Sequence, residues 1–116
     1  MSQKLTPRQQ EQLQFLQHAA PKIQRVQALI EQMASNQTDE AGVRQLVRLL
    51  DEIKAGGSQL KIPALPDAAG QMAMLARRGG GQQAKARALR ELLAGLKQNY
   101  DVAMRKALKP EEEGAA

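Results

Sequence analysis

Apolar residues recur along this chain at intervals of three and four positions, which is the spacing of one face of an α-helix. Polar, Pro-rich or Gly-rich stretches separate the periodic segments. The pattern predicts helices at residues 6–19, 21–34, 39–55, 66–78 and 82–108. Because the connections between them are short, consecutive helices are expected to pack side by side. The predicted fold class is all-α, an antiparallel up-and-down four-helix bundle with a short extra N-terminal helix.

Local signals set the predicted helix limits. Thr6 and Pro7 form a favourable helix start, with a hydroxyl at the cap and proline at the first helical position. Pro21 lacks an amide hydrogen and predicts either a kink or the start of a new helix. The Gly56-Gly57 pair predicts that the next helix ends or weakens there, and the glycines at 79–81 predict the break before the last helix.

Size and composition fit one helical domain. The chain has 116 residues, of which 42% are hydrophobic and only 2% aromatic, so its core must be aliphatic. We expect residues 1–109 to form this domain and residues 110–116 to be a disordered acidic tail. Cysteine is absent, and no apolar run approaches the roughly 20 residues of a membrane span. These features predict a cytoplasmic protein without a membrane partner.

The third predicted helix, residues 39–55, combines an apolar face with a strip of charges. Its predicted core residues are Val43, Leu46, Val47, Leu50 and Ile53. Asp51 lies just off this face, with Arg48 three residues before it, Lys54 three residues after it and Arg44 two turns back. We expect Asp51 to be exposed among these bases, either as an ordinary surface ion pair or as part of a binding surface.

A second group of bases flanks the three glycines at 79–81. Its members are Arg77, Arg78, Lys85, Arg87 and Arg90. Glu91 stands four residues after Arg87 and offsets its charge. The group is interpreted either as a solvated helix surface or as a docking patch for an acidic protein partner.

Catalytic chemistry finds no support in the sequence. His18 is the only histidine, and no acid or nucleophile stands at a suitable spacing to partner it. The glycines before Gln82 lack the Lys-Ser/Thr ending of a P-loop. The net charge of +5 comes from bases interspersed with acids, and stacking aromatics are lacking, so nucleic acid is an unlikely partner. We therefore expect no enzyme activity, no cofactor and no metal.

The segment around Asp51 resembles a histidine-phosphotransfer (HPt) domain, the four-helix module that relays phosphoryl groups between histidine kinases and receiver domains. Family members carry the pattern apolar-x-x-apolar-His-x-Leu-Lys-Gly-Ser, to which residues 50–56 and then 59–61 correspond without a gap. Residues 15–21 are similar to the opening segment of the family and residues 87–100 to its closing helix. Asp51 stands in the place of the phosphoaccepting histidine, Ala55 replaces a glycine, and Lys54 is retained.

The resemblance implies a fold without the relay chemistry, because a carboxylate has no imidazole nitrogen to accept the phosphoryl group. It implies a non-catalytic HPt-like adapter or inhibitor that binds a response-regulator receiver or a histidine kinase. The implied docking face comprises Arg44, Arg48, Asp51, Lys54, Ala55 and Gln59. Receiver pockets in that family are acidic, so Asp51 would need a bridging Mg²⁺, or docking would use the bases from Arg77 to Arg90 instead. The alternative is a structural helical interaction protein, such as a secretion chaperone or assembly factor.

Overall fold

The computed structural model describes residues 4–109, which form four α-helices and no strand. The helices are α1 (Pro7–Ala34), α2 (Glu40–Gln59), α3 (Leu65–Arg77) and α4 (Gln82–Leu108). The predicted all-helical fold is thus confirmed. The predicted tail at 110–116 lies outside the described residues.

The predicted break at Pro21 is wrong, because α1 is a single helix of 28 residues that passes through this proline. It follows that there is no separate short N-terminal helix within residues 4–109. Pro21 and Gln17, whose carbonyl loses its hydrogen bond at the proline, both lie on the exposed face of α1. Water can therefore satisfy the unpaired carbonyl, which lowers the cost of keeping the helix continuous. The predicted start is confirmed, since Thr6 and Gln9 form a reciprocal capping box.

The two glycines of α2 do not end the helix, which continues to Gln59. They instead allow close packing: a Cβ at Gly56 would lie 2.3 Å from Cε1 of Phe15 in α1, and one at Gly57 would lie 2.9 Å from Cγ of Pro66 in α3. The helix ends one turn later, where Lys61 adopts a φ of 58° and the Ile62 amide donates to the Gly57 carbonyl. This is the Schellman geometry, here without a glycine at the left-handed position.

Each helix contacts two of the other three: α1 and α3 both pack against α2 and α4. The amide of Gln9, at the start of α1, donates to the carbonyls of Lys106 and Lys109 at the end of α4. Gln12 of α1 donates to the carbonyl of Leu60 at the end of α2. Side chains from all four helices fill the core, the largest fully buried ones being Leu16, Val26, Leu29, Ile30, Met33, Leu46, Leu50, Ile53, Leu65, Met72, Leu89 and Leu96.

The shortness of α3 decides which part of α2 is covered. The start of α3 packs at the end of α2, where Pro66 meets Gly57 and Gly70 meets the stem of Lys54. From there the 13 residues of α3 extend about 20 Å, whereas the 20 residues of α2 extend about 30 Å. The first turns of α2 therefore project past the end of α3.

Two predicted core positions are affected by this difference in length. Val43 and Val47 are only partly buried, whereas Leu46, Leu50 and Ile53 are fully buried. Val47 still packs against the core from its edge, so the prediction that all five line the core is wrong only for Val43. Both valines border the same open space as Ala76 and Arg77 at the end of α3.

Candidate functional site

An open groove of about 860 Å³ lies between α2 and the turn that joins α3 to α4. We call it the basic groove. Its lining residues are Glu40, Val43, Arg44, Val47, Arg48, Asp51, Glu52 and Ala55 from α2, and Ala76, Arg77, Arg78, Gly80, Gln82 and Lys85 from the opposite wall. The α2 residues recur at helical spacing along about four turns.

The basic groove has an apolar floor because α3 ends early. Val43 and Val47 supply the partly buried apolar surface of the α2 wall, and Ala55 lies further along the same wall. Ala76, in the last turn of α3, is buried and faces them from the other side. Small apolar side chains between charged walls make a surface that fits a ridge of apolar side chains from a binding partner.

Positive charge exceeds negative charge in the basic groove, with five cationic and three acidic residues among those that line it. Asp51 forms an ion pair with Arg77 at 2.5 Å. The other two acids also have partners: Glu40 lies 3.9 Å from Arg44, and Glu52 lies 3.0 Å from a lysine of α1. The acids of the groove are thus each matched by a base.

Two arginines that line the basic groove have no acidic partner within the described part of the chain. These are Arg48 on the α2 wall and Arg78 on the opposite wall. Lys85 is used differently, because its Nζ donates to the carbonyls of Ala76 and Arg78, at 3.3 and 2.8 Å. These carbonyls lie at the end of α3, where the helix leaves acceptors unpaired, so Lys85 caps α3. Arg48 and Arg78 are therefore available to bind an anionic group.

Asp51 lies on the partly exposed side of α2, as the spacing along this helix predicts. Its ion-pair partner, however, is neither Arg48 nor Lys54. Its carboxylate pairs with Arg77 of α3, and both side chains are about half exposed, at 43% and 54%. Arg48 lines the same wall, whereas Lys54 lies towards α3. A Cβ at Gly70 would come within 3.3 Å of Cδ of Lys54, so the lysine stem covers the backbone of α3.

Most of the two predicted sites come together in the basic groove. Arg44, Arg48, Asp51 and Ala55 of the implied docking face line it, as do Arg77, Arg78 and Lys85 of the second basic group. Gln59 instead lies in a separate shallow depression beside Arg8 and Glu11 of α1. From the sequence we predicted the two groups as separate surfaces. The apolar floor formed by Val43 and Val47 was not predicted. The unequal lengths of the predicted helices are the signal that would have revealed that floor.

The remaining two bases of the second group lie outside the basic groove. Arg90 forms two hydrogen bonds with Glu31 of α1, from Nε at 3.0 Å and from a terminal nitrogen at 2.6 Å. Hydrogen bonding to the guanidinium lowers the pKa of Glu31, and the same contact raises the pKa of Arg90. Arg87 is exposed. Arg77, Arg78 and Lys85 thus line the basic groove, whereas Arg90 forms an ion pair between α4 and α1.

His18 and Tyr100 lie outside the basic groove. His18 is exposed on α1. No group of three or more histidine, aspartate or glutamate side chains in the described residues is placed to hold a metal ion. Tyr100 donates to the Leu16 carbonyl at 2.8 Å, and desolvation raises its pKa, followed in importance by the charge of Asp101. This tyrosine joins α4 to α1 and does not face the groove.

Comparison with known proteins leaves the functional assignment to the site itself. No family model matches the chain, and searches of curated proteins and of solved structures found no match. None of the helices in the described residues has the length and apolar character needed to cross a membrane.

Proposed function

We propose that this protein is a non-catalytic HPt-like adapter or inhibitor that binds a receiver or histidine-kinase domain through the basic groove. The proposal includes a cytoplasmic location and an antiparallel up-and-down order of the four helices. The bonds from Gln9 to the end of α4 and from Gln12 to the end of α2 support this order. The sequence resemblance around Asp51 supports the family.

The observation that supports docking most strongly is the pairing of Asp51 with Arg77. An unpaired carboxylate in this place would be repelled by the acidic pocket of a receiver. With Arg77 beside it, Asp51 adds no net charge to the groove, and Arg48 and Arg78 give the surface a positive surplus. This pairing supports docking on an acidic receiver pocket without a bridging metal ion.

Docking without phosphoryl transfer makes the protein an adapter or inhibitor. Asp51 has no imidazole nitrogen, and its carboxylate is occupied by Arg77. Ala55, which replaces a glycine of the family pattern, stands one turn from Asp51 and lines the same groove. A bound receiver would therefore meet a surface of suitable charge that cannot accept its phosphoryl group.

The test is a binding measurement with purified receiver and kinase domains encoded in the same genome. Isothermal titration calorimetry with the full-length chain is expected to detect at least one of them with a micromolar Kd, the range of transient signalling contacts. Binding should weaken as salt rises, because the paired surfaces are charged and partly exposed. Failure to bind any receiver or kinase domain would remove the signalling role.

The apolar floor of the basic groove favours a second candidate, a structural helical protein such as a secretion chaperone or assembly factor. Val43 and Val47 present partly buried apolar surface that a partner helix can cover. This candidate predicts self-association or stable complexes with a client. Light scattering coupled to size-exclusion chromatography separates the two, because the adapter is expected to remain monomeric.

A further inference from the structure

The basic groove lies beside the first turns of α2, where a longer α3 would have packed. α3 packs against α2 from Gly57 onwards but has only 13 residues, so it stops before the first turns of α2 are covered. At that end of the molecule α2 lacks the neighbour that it has further along. We propose that the groove binds an amphipathic helix of a partner protein, with acidic residues on both sides of its apolar ridge. This inference deepens the proposed function, on which it rests for the assumption that the ligand is a protein.

The dimensions of the basic groove suit a helix. Its α2 wall extends from Glu40 to Ala55, which at 1.5 Å per residue is about 22 Å. A helix of about 15 residues matches that length. Val43 and Val47 stand one turn apart, so their side chains form a groove into which apolar side chains at positions i and i+4 of a second helix can fit.

The charges of the basic groove determine the flanks of that helix. Arg48 stands on one wall and Arg78 on the other, and neither has an acidic partner within residues 4–109. An apolar ridge lying on the floor between them brings both flanks of the bound helix near an arginine. Acidic residues on both flanks therefore gain a partner, whereas basic residues would meet like charge.

A second copy of this chain is a poor occupant on the same charge argument. The exposed large apolar side chains among the described residues are Met74, Val102 and Leu108. The last two lie on α4 among Arg105, Lys106 and Lys109, so they would bring further positive charge into a groove that already has a surplus. The observations thus favour an acidic helix from a different protein.

The experiment uses a synthetic capped peptide of about 16 residues, with leucines and alanines at helical spacing and glutamates on both flanks. Two comparison peptides carry lysine in place of every glutamate, or a proline at the centre that breaks the helix. Fluorescence anisotropy with the labelled peptides and the full-length chain gives Kd. The acidic helical peptide is expected to bind at least about tenfold more tightly than either comparison peptide.

Variants locate the binding on the molecule. Arg48→Glu and Arg78→Glu are each expected to raise the Kd of the acidic peptide about fivefold or more, since a partly exposed attraction becomes a repulsion. Arg87→Glu is the matched control, because it makes the same charge change on an exposed arginine outside the basic groove. All three positions are exposed, so the fold is expected to persist, and circular dichroism verifies this.

The inference is overturned if the lysine peptide binds equally well, or if Arg87→Glu weakens binding as much as Arg48→Glu. It is also overturned if the protein forms a dimer that Arg48→Glu dissociates, because the groove would then hold a second copy. Receiver binding that both groove variants weaken, without any binding of the acidic peptide, would leave the proposed function in place and remove this inference. Peptide binding without any receiver or kinase binding would support the inference and remove the signalling role.

Discussion

Gly56 lies inside α2 against the ring of Phe15 in α1, and replacing it with alanine tests how these two helices pack. Alanine is favoured over glycine within a helix by about 1 kcal/mol. At this position, however, the added Cβ would lie 2.3 Å from Cε1 and 2.9 Å from Cδ1 of the ring. Ordinary contacts between carbon atoms are about 3.5–4.0 Å, so the ring has to move by more than an ångström.

The net effect is the difference between these two contributions. Overpacking of this kind costs about 1–3 kcal/mol. After subtraction of the helix preference, we expect Gly56→Ala to lower the free energy of unfolding by about 1 kcal/mol. Gly95 is the matched control, since it also lies inside a helix and a Cβ there would meet no atom within 4 Å. Gly95→Ala is expected to raise the free energy of unfolding by about 0.5–1 kcal/mol.

Removal of the ring reverses the sign of the effect at Gly56. In a Phe15→Ala background the added Cβ loses its three nearest contacts, which are all with the ring, so Gly56→Ala is expected to stabilise the protein by about 0.5–1 kcal/mol. Urea unfolding of the four proteins of this cycle, followed by circular dichroism, gives each free energy and the coupling between the two positions. Equal effects of Gly56→Ala in both backgrounds, or stabilisation of the wild-type chain, would refute the packing of Gly56 on this ring.

Three further predictions concern other contacts. Asp51→His alone is not expected to accept a phosphoryl group efficiently, because Ala55 still stands beside it, and rapid uptake from a radiolabelled phosphorylated receiver would contradict this. Hydrogen bonds from Arg90 lower the pKa of Glu31 in the folded protein below the 4.5 of the unfolded chain. The stability that this pair contributes is therefore present above pH 4.5 and is lost as the pH falls through the lower folded pKa. The urea midpoint of the wild-type chain should therefore fall more between about pH 6 and pH 3 than that of Glu31→Gln, whereas equal decreases would show no contribution. Tyr100→Phe removes the bond to an α1 carbonyl and is expected to lower the free energy of unfolding by about 1 kcal/mol, measured by urea unfolding; an unchanged midpoint would contradict it.

Helix formation is the part of the fold that the sequence largely determined. Spacing of apolar residues, capping groups and glycine breaks act within one helix, so they can be interpreted without knowledge of its neighbours. The limits of α4 were predicted as found, and those of α3 to within one residue at each end. The capping box at Thr6 was equally local.

Tertiary packing overrode the same local rules at two places. Pro21 remains within α1 because its face is exposed and water can reach the unpaired carbonyl. Gly56 and Gly57 remain within α2 because neighbouring helices approach the backbone there, and such close approach requires the absence of a side chain. Neither the exposure of a face nor the distance to another helix is encoded in the spacing of residues along one segment.

The charged residues of the candidate site were all visible in the sequence, but their arrangement was not. Spacing along α2 suggested Arg48 and Lys54 as neighbours of Asp51, whereas its partner is Arg77, 26 residues away on another helix. The sequence by itself determined the amphipathic helical segments and the residues available for binding. Only the tertiary structure decided that the start of α3 packs at the end of α2, so that the shorter α3 leaves the first turns of α2 uncovered and the two groups of bases meet in one groove.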